Sequence, residues 1–139
     1  NSDVYCDINL AHWLSQANAA LQQIPLCKAF FLMVNNPTHN EAGDFCIDGD
    51  GVLAAGALRQ KPTNEPCITF TFAGVSVITP ALISAYPKAR LKFALREVFN
   101  WALSNNTIFA SHYSGFWVDV GTPQRLALLE QALIQRRCK

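Results

Sequence analysis

Gly115-Phe116-Trp117-Val118-Asp119-Val120-Gly121-Thr122-Pro123 carries the densest structural signal in the chain. Phe116 to Val120 is a short strand of β-favouring residues that delivers Asp119 near its C-terminal end. Gly121 then turns the chain. Thr122 is an N-cap, and Pro123 takes the first helical position, where its missing N–H is no loss. Leu126, Leu129 and Leu133 follow along one helical face. In open α/β sheets, ligands bind outside the carboxyl ends of the strands. A carboxylate there, close to helix N-termini, suits a hard cation carrying phosphates. The residue type fits equally well an Asp that ends a strand and bonds its own turn.

Working outward, Ile108–Ala110 is expected to be another short strand. Leu91, Ala94, Leu95, Val98, Phe99 and Ala102 form a helical stripe ended by Asn105-Asn106. Ile68 to Ile78, rich in Thr, Phe and Val, reads as a strand, and Gly74 in its middle marks a bulge or a close backbone approach. Arg59 to Pro66 reads as a polar loop. Asp44 to Asp48 and Val52-Leu53 flank Gly49-Asp50-Gly51 as a hairpin. Ala29 to Val34 is apolar without alternation, as in a strand covered on both faces. Ahead of it, Leu10, Trp13, Leu14, Ala17 and Leu21 give an amphipathic helix, with Asn9 as N-cap and Pro25 as its end. Alternating strands and helices predict an α/β layered domain.

The bulk composition excludes several classes. The 139 residues are 50% apolar and 15% charged, enough to bury a sizeable core. A net charge of +1 and a single basic cluster, Arg136 to Lys139, give no nucleic-acid surface. No apolar run approaches a membrane span. Cys6, Cys27, Cys46, Cys67 and Cys138 show no C-x-x-C pair, so reduced thiols in a cytoplasmic protein are expected. His12, His39 and His112 are too scattered for a zinc site and read as surface, exposed-loop and structural residues respectively. Asp7 is expected to bond near the start of the first helix.

At the other end of the chain, Asn1-Ser2-Asp3-Val4 places a second carboxylate where an upstream strand would finish. With Asn36-Pro37, Gly43-Asp44-Phe45, Thr69 to Val77, Leu91-Lys92-Phe93-Ala94, His112-Tyr113 and the tract from Trp117 to Leu126, this order of motifs resembles the second half of the sugar-1-phosphate nucleotidyltransferases. The resemblance runs from Asn1 to about Leu133. The W-x-D-V-G-T-P-x-R-L tract is specific to the superfamily. The other blocks point to the subgroup that uridylylates N-acetylmuramate 1-phosphate in cell-wall recycling.

That resemblance implies a Rossmann-like nucleotidyltransferase fold, represented by a second half with a mixed sheet and flanking helices. It implies that residues 1–139 form the sugar- and metal-binding half, with the N-terminal nucleotide-binding half and its glycine-rich loop absent. Asp3 and Asp119 match the family's Mg²⁺ ligands. Gly43 matches a glycine whose N–H meets a sugar hydroxyl, Trp117 the aromatic bordering the sugar, and Lys92 a subgroup lysine near the sugar phosphate. Gln60-Lys61-Pro62 echoes the family's Glu-Lys-Pro without its acid, and Lys61 reads as an exposed loop lysine. Ser2 stands where the family has Gly. The implied substrates are UTP and N-acetylmuramate 1-phosphate, with guanylyl transfer to mannose or heptose phosphate, or thymidylyl transfer to glucose 1-phosphate, as alternatives. A non-catalytic sugar-phosphate-binding module is the competing class. The implied partner is the missing half, or a second chain covering the sheet edge left open before Asp3.

Overall fold

The structure is a computed structural model that describes residues 3–47, 56–61, 67–88 and 90–137. Among these described residues, seven strands and four α-helices follow in the order β1 (Val4–Cys6), α1 (Leu10–Gln23), β2 (Ala29–Val34), β3 (Phe45–Ile47), β4 (Gly56–Gln60), β5 (Thr69–Ile78), α2 (Pro80–Ser84), α3 (Leu95–Ser104), β6 (Ile108–Tyr113), β7 (Trp117–Asp119) and α4 (Pro123–Arg137). A 3-10 turn at Thr38–Asn40 follows β2.

β2 organises the molecule. All six of its residues are buried, because both of its faces are covered. Phe31 and Met33 face one way, into a cluster with Leu58, Leu82, Val98, Ala102 and Ile108 from the elements around α2 and α3. Phe30, Leu32 and Val34 face the other way, against Trp13, Ala17 and Ala20 of α1. This is the period-two geometry of a strand, read twice. Trp13 is buried without an orphaned donor, since its indole N–H reaches Ser111 Oγ at 3.0 Å.

β2 pairs parallel with β6 and antiparallel with β5, so the sheet is mixed, as expected. The mixed sheet closes on itself and is not an explicit Rossmann-like sheet. β3 joins the start of β5, and β4 joins β6 through Ala57↔Phe109 and Gly56↔Ala110, so the strands close in the order β2-β5-β3-β4-β6. β1 and β7 stand apart as an antiparallel ribbon. On the side away from β2, among the described residues, β5 pairs with β3 through Phe70 and Thr69.

Several local expectations change. Arg59 and Gln60 belong to β4, not to a loop, because β4 needs them opposite Cys46 and Phe45. α3 starts only at Leu95, and Leu91 and Ala94 lie outside it. Glu97 sets that boundary by accepting from the Ala94 backbone N–H, an acidic first-turn contact. The bulge expected at Gly74 is present as a register shift opposite Phe31 and Met33. α1 begins where expected, with Asn9 Oδ1 accepting the His12 N–H at 3.0 Å. The turn at Gly49-Asp50-Gly51 lies outside the described residues, as do Ser2 and Pro62.

The reading of five reduced thiols is corrected. Cys46 and Cys67 form a disulfide with Cα atoms 6.2 Å apart. Their sequence separation of 21 gave no motif; pairing of β3 with β5 sets Cys46 opposite Thr69, two residues beyond Cys67. Cys6 and Cys27 are free, and burial pushes the Cys27 thiol up to about 11, leaving it protonated and inert. Among the described residues no helix is long and apolar enough to cross a membrane.

Candidate active site

The β1–β7 ribbon positions the two acidic candidates. Val4 lies opposite Asp119, and the Val120 N–H donates to the Asp3 carbonyl at 2.8 Å. An antiparallel pair sets the start of one strand beside the end of the other, so Asp3 and Asp119 share one end of the ribbon. That end, and not the carboxyl edge of a parallel sheet, carries the site. Both line an open cleft of about 390 Å³ with His39, Asn40, Asp44, Thr71 and Trp117.

Gly121 leaves open the space between the two carboxylates. A Cβ built there would lie 3.0 Å from Asp119 Oδ1, 3.1 Å from Arg125 Nη2 and 3.4 Å from Asp3 Oδ2. The two carboxylate oxygens are therefore no farther apart than the sum of the first and last distances. Any side chain at this position would fill the space in which the charged groups converge. Asp119 Oδ1 accepts the Gly121 N–H at 2.7 Å and the Arg125 guanidinium at 3.2 Å. Oδ2 faces His39 Nε2 at 3.4 Å. Arg125 is itself placed by the capped first turn of α4, where Thr122 Oγ1 accepts its backbone N–H.

The donor set suits a small hard cation. Among the described residues no group of three or more His, Cys, Asp or Glu side chains is arranged to hold an ion. Mg²⁺, however, is commonly held by one or two carboxylates, with waters and substrate phosphates completing its shell. Two carboxylates meeting at a side-chain-free glycine in an open cleft match that mode, and they do not match a closed protein cage.

The ribbon is tied down by polar contacts. The Trp117 indole N–H donates to the Ala73 carbonyl of β5 at 3.1 Å, which sets the ring as a wall of the cleft. Asp7 does not serve the first helix, because Asn9 already caps it. Its Oδ1 accepts from the Tyr113 hydroxyl and the Phe116 N–H, and its Oδ2 from Arg136 at 3.0 Å. The Tyr113 bond, then Arg136 and the Phe116 N–H, hold the Asp7 carboxyl below its ordinary range. The same bond pushes the Tyr113 hydroxyl up to about 12. Arg136 also lies over the Phe116 ring, 3.8 Å from its centroid.

The other candidates separate. Gly43 has φ +63°, and a Cβ there would approach Asn36 Oδ1 to 2.6 Å, so glycine is required. Its N–H is donated to the Asn40 carbonyl at 3.0 Å, because the residue closes a tight turn. Gly43 lines a second cavity, of about 550 Å³, that shares Asp44 and Phe72 with the acidic cleft and also contains Lys61 and Arg96. Lys61 is exposed, and its Nζ donates to the carbonyls of Gly43 and Ala42. Lys92 is exposed between α2 and α3 and lines neither cavity. His12 is exposed, as expected. His112 bonds Asn35 and packs on Phe70, a structural role, and burial lowers its pKa. Sequence reasoning missed Arg125 and underrated His39. The R-L that ends the Trp117 to Leu126 tract was a usable signal for Arg125; nothing local pointed from His39 to Asp119.

Comparison with known proteins agrees with the motif order. No protein-family model matches the chain. It is 27% identical over 126 residues to the N-acetylmuramate alpha-1-phosphate uridylyltransferase of Neisseria meningitidis serogroup B, covering 91% of this chain and 50% of that protein. Its fold is similar to that of a Bacillus anthracis protein assigned as a glucose-1-phosphate thymidylyltransferase, crystallised with a sucrose. The TM-score is 0.58 and the identity 17%, over 91% of this chain and 49% of that one. The chain thus spans about half the length of the relatives it matches. By sequence it is similar to the C-terminal half of a sugar-1-phosphate nucleotidyltransferase, and by fold to half of a chain assigned to the same class.

Proposed function

We propose that this chain supplies the sugar- and cation-binding half of a sugar-1-phosphate nucleotidyltransferase site, with UTP and N-acetylmuramate 1-phosphate as substrates. The convergence of Asp3 and Asp119 over Gly121 carries the reading. Two carboxylates about 6 Å apart repel by roughly 3 kcal/mol at an effective dielectric near 20, more if they lie closer, and a shared divalent cation removes that penalty. Asp3 and Asp119 would hold Mg²⁺, which withdraws charge from the phosphates when bound. The sugar phosphate oxygen attacks the nucleotide's α-phosphorus and pyrophosphate leaves, so no protein nucleophile is required. Trp117 walls the cleft and orients the sugar beside the carboxylates, and such positioning is the main contribution asked of the protein.

The nucleotide-binding half, or a second chain, would pair along the outer edge of β5 at Val75 to Ile78, where β3 no longer reaches. The nucleoside triphosphate would come from the cytoplasm; the Cys46–Cys67 bridge is the one feature at odds with a reducing compartment. A non-catalytic sugar-phosphate-binding module is favoured by a different observation, that Asp119 is already paired with Arg125.

Pyrophosphate release separates these readings. With Mg²⁺, UTP and N-acetylmuramate 1-phosphate, this chain alone is expected to be silent. Activity should appear once a polypeptide carrying a glycine-rich nucleotide loop is supplied. In that assembly Asp119→Asn should lower turnover about 100-fold or more, the scale of losing a group that stabilises charge in the transition state. Turnover that survives both Asp3→Asn and Asp119→Asn would sink the enzymatic reading.

A further inference from the structure

Arg125 occupies the acidic site in a way that metal ligation by two carboxylates does not require. Its Nη2 is 3.2 Å from Asp119 Oδ1, and it approaches the open space over Gly121 as closely as the carboxylates do. The side chain is 29% exposed, and its Nε is buried with no hydrogen-bond partner. A guanidinium on a solvated face would keep all its donors wet. This one gives up hydration and is recompensed by the negative charge it faces. It also sits on a rigid mount, the first turn of α4, with its own N–H held by Thr122.

We infer that Arg125 is a built-in counter-ion that sets the cation affinity of the Asp3–Asp119 pair. It is a positioning residue, acting through Asp119, and the inference rests on reading the cleft as a cation site. Together with the Gly121 N–H it pins Oδ1, the oxygen nearest the space shared with Asp3, and leaves Oδ2 on the His39 side of the cleft, 3.4 Å from Nε2. Its charge relieves the mutual repulsion of the two carboxylates while no cation is bound. The same charge opposes an incoming divalent ion, and this repulsion is doubled by the ion's valence. Charge repulsion then outweighs the benefit of a pinned carboxylate, because a hydrogen bond of this kind is worth little net where water can replace it. Arg125 therefore weakens the binding of a bare divalent ion.

The test uses Mn²⁺ alone as probe, with free ion counted by electron paramagnetic resonance on the 139-residue chain. Arg125→Gln, which keeps a hydrogen-bonding side chain without charge, should bind Mn²⁺ about tenfold tighter than the unsubstituted protein, the order expected from removing a unit charge next to a divalent ion at a partly screened site. Arg125→Lys retains the charge and should stay close to the unsubstituted affinity. Circular dichroism melts confirm folding, and Arg125→Met replaces the Gln variant if the latter does not fold. Unchanged or weaker Mn²⁺ binding in a folded, uncharged variant overturns the inference, since a merely structural arginine would weaken the site when removed. If that happens while Asp119→Asn abolishes binding, the cation site stands and only the role of Arg125 falls. If Asp3→Asn and Asp119→Asn bind like the unsubstituted protein, or if no variant binds, both the inference and the reading beneath it fail.

Discussion

The closed five-strand ring and the β1–β7 ribbon are built on opposite principles. The ring is held by apolar burial: β2 has no exposed residue, and Phe31 packs with ring centroids 4.7 Å from Phe72 and 4.8 Å from Phe99. The ribbon has strands of three residues, all only partly buried, and is anchored by hydrogen bonds that Trp117 and Val120 donate and that the Asp7 carboxylate accepts. Apolar packing is non-directional and fixes shape through bulk, whereas hydrogen bonds fix orientation at a lower net gain in stability. The region that brings Asp3 and Asp119 to one end of the ribbon is held by the directional kind. Folding energy and chemical geometry are thus assigned to separate parts of the molecule.

That division can be broken by experiment. Phe31→Ala should lower the unfolding free energy by about 4 kcal/mol, from lost burial and the cavity left behind, as measured by urea denaturation. A loss below about 1 kcal/mol would show that the ring is not the stabilising unit. Reduction of Cys46–Cys67 should cost about 3 kcal/mol in the same assay, from the loop of 21 residues it closes, while thiol titration of the denatured, unreduced chain finds three free cysteines and not five. Five titrating thiols would refute the bridge.

The smallest effect is expected in the ribbon. Asp7→Asn should cost no more than about 1 kcal/mol, because the carboxylate is 38% exposed and its ion pair is screened. Its folded pKa is lowered, first by the Tyr113 hydroxyl and then by Arg136 and the Phe116 N–H. The stabilisation is therefore fully present above the unfolded carboxyl value of about 3.9 and disappears as pH falls through the lower folded value. Unfolding followed between neutral pH and pH 2 should show this acid-side loss in the unsubstituted protein and a shallower one in Asp7→Asn. Equal slopes would mean that the Asp7 ties do not hold the ribbon.

Legibility followed the range of the forces involved. Asn9 before α1 and Thr122-Pro123 before α4 were readable because a cap acts within three residues. β2 was readable because burial on both faces leaves an uninterrupted apolar run. The start of α3 was misread because Leu91 and Ala94 continue the helical spacing by composition, while the Ala94 contact of Glu97 decides the boundary. α2 was missed: five residues are too few to show a period. The closure of the ring had no local sign, since it depends on the pairing of β4 with β6, some 50 residues apart.

The acidic residues themselves were legible, but their surroundings were not. Residue type and motif order singled out Asp3 and Asp119 and the Trp117 to Leu126 tract, because those signals are covalently local. Tertiary structure alone decided that Asp3 and Asp119 meet at the end of an antiparallel ribbon, that His39 and Arg125 face the same carboxylate, that the Gly43 N–H is spent on Asn40, and that Cys46 finds Cys67. Each of these is a contact across sequence distance, set by how strands pair and helices pack, and no spacing along the chain encodes it.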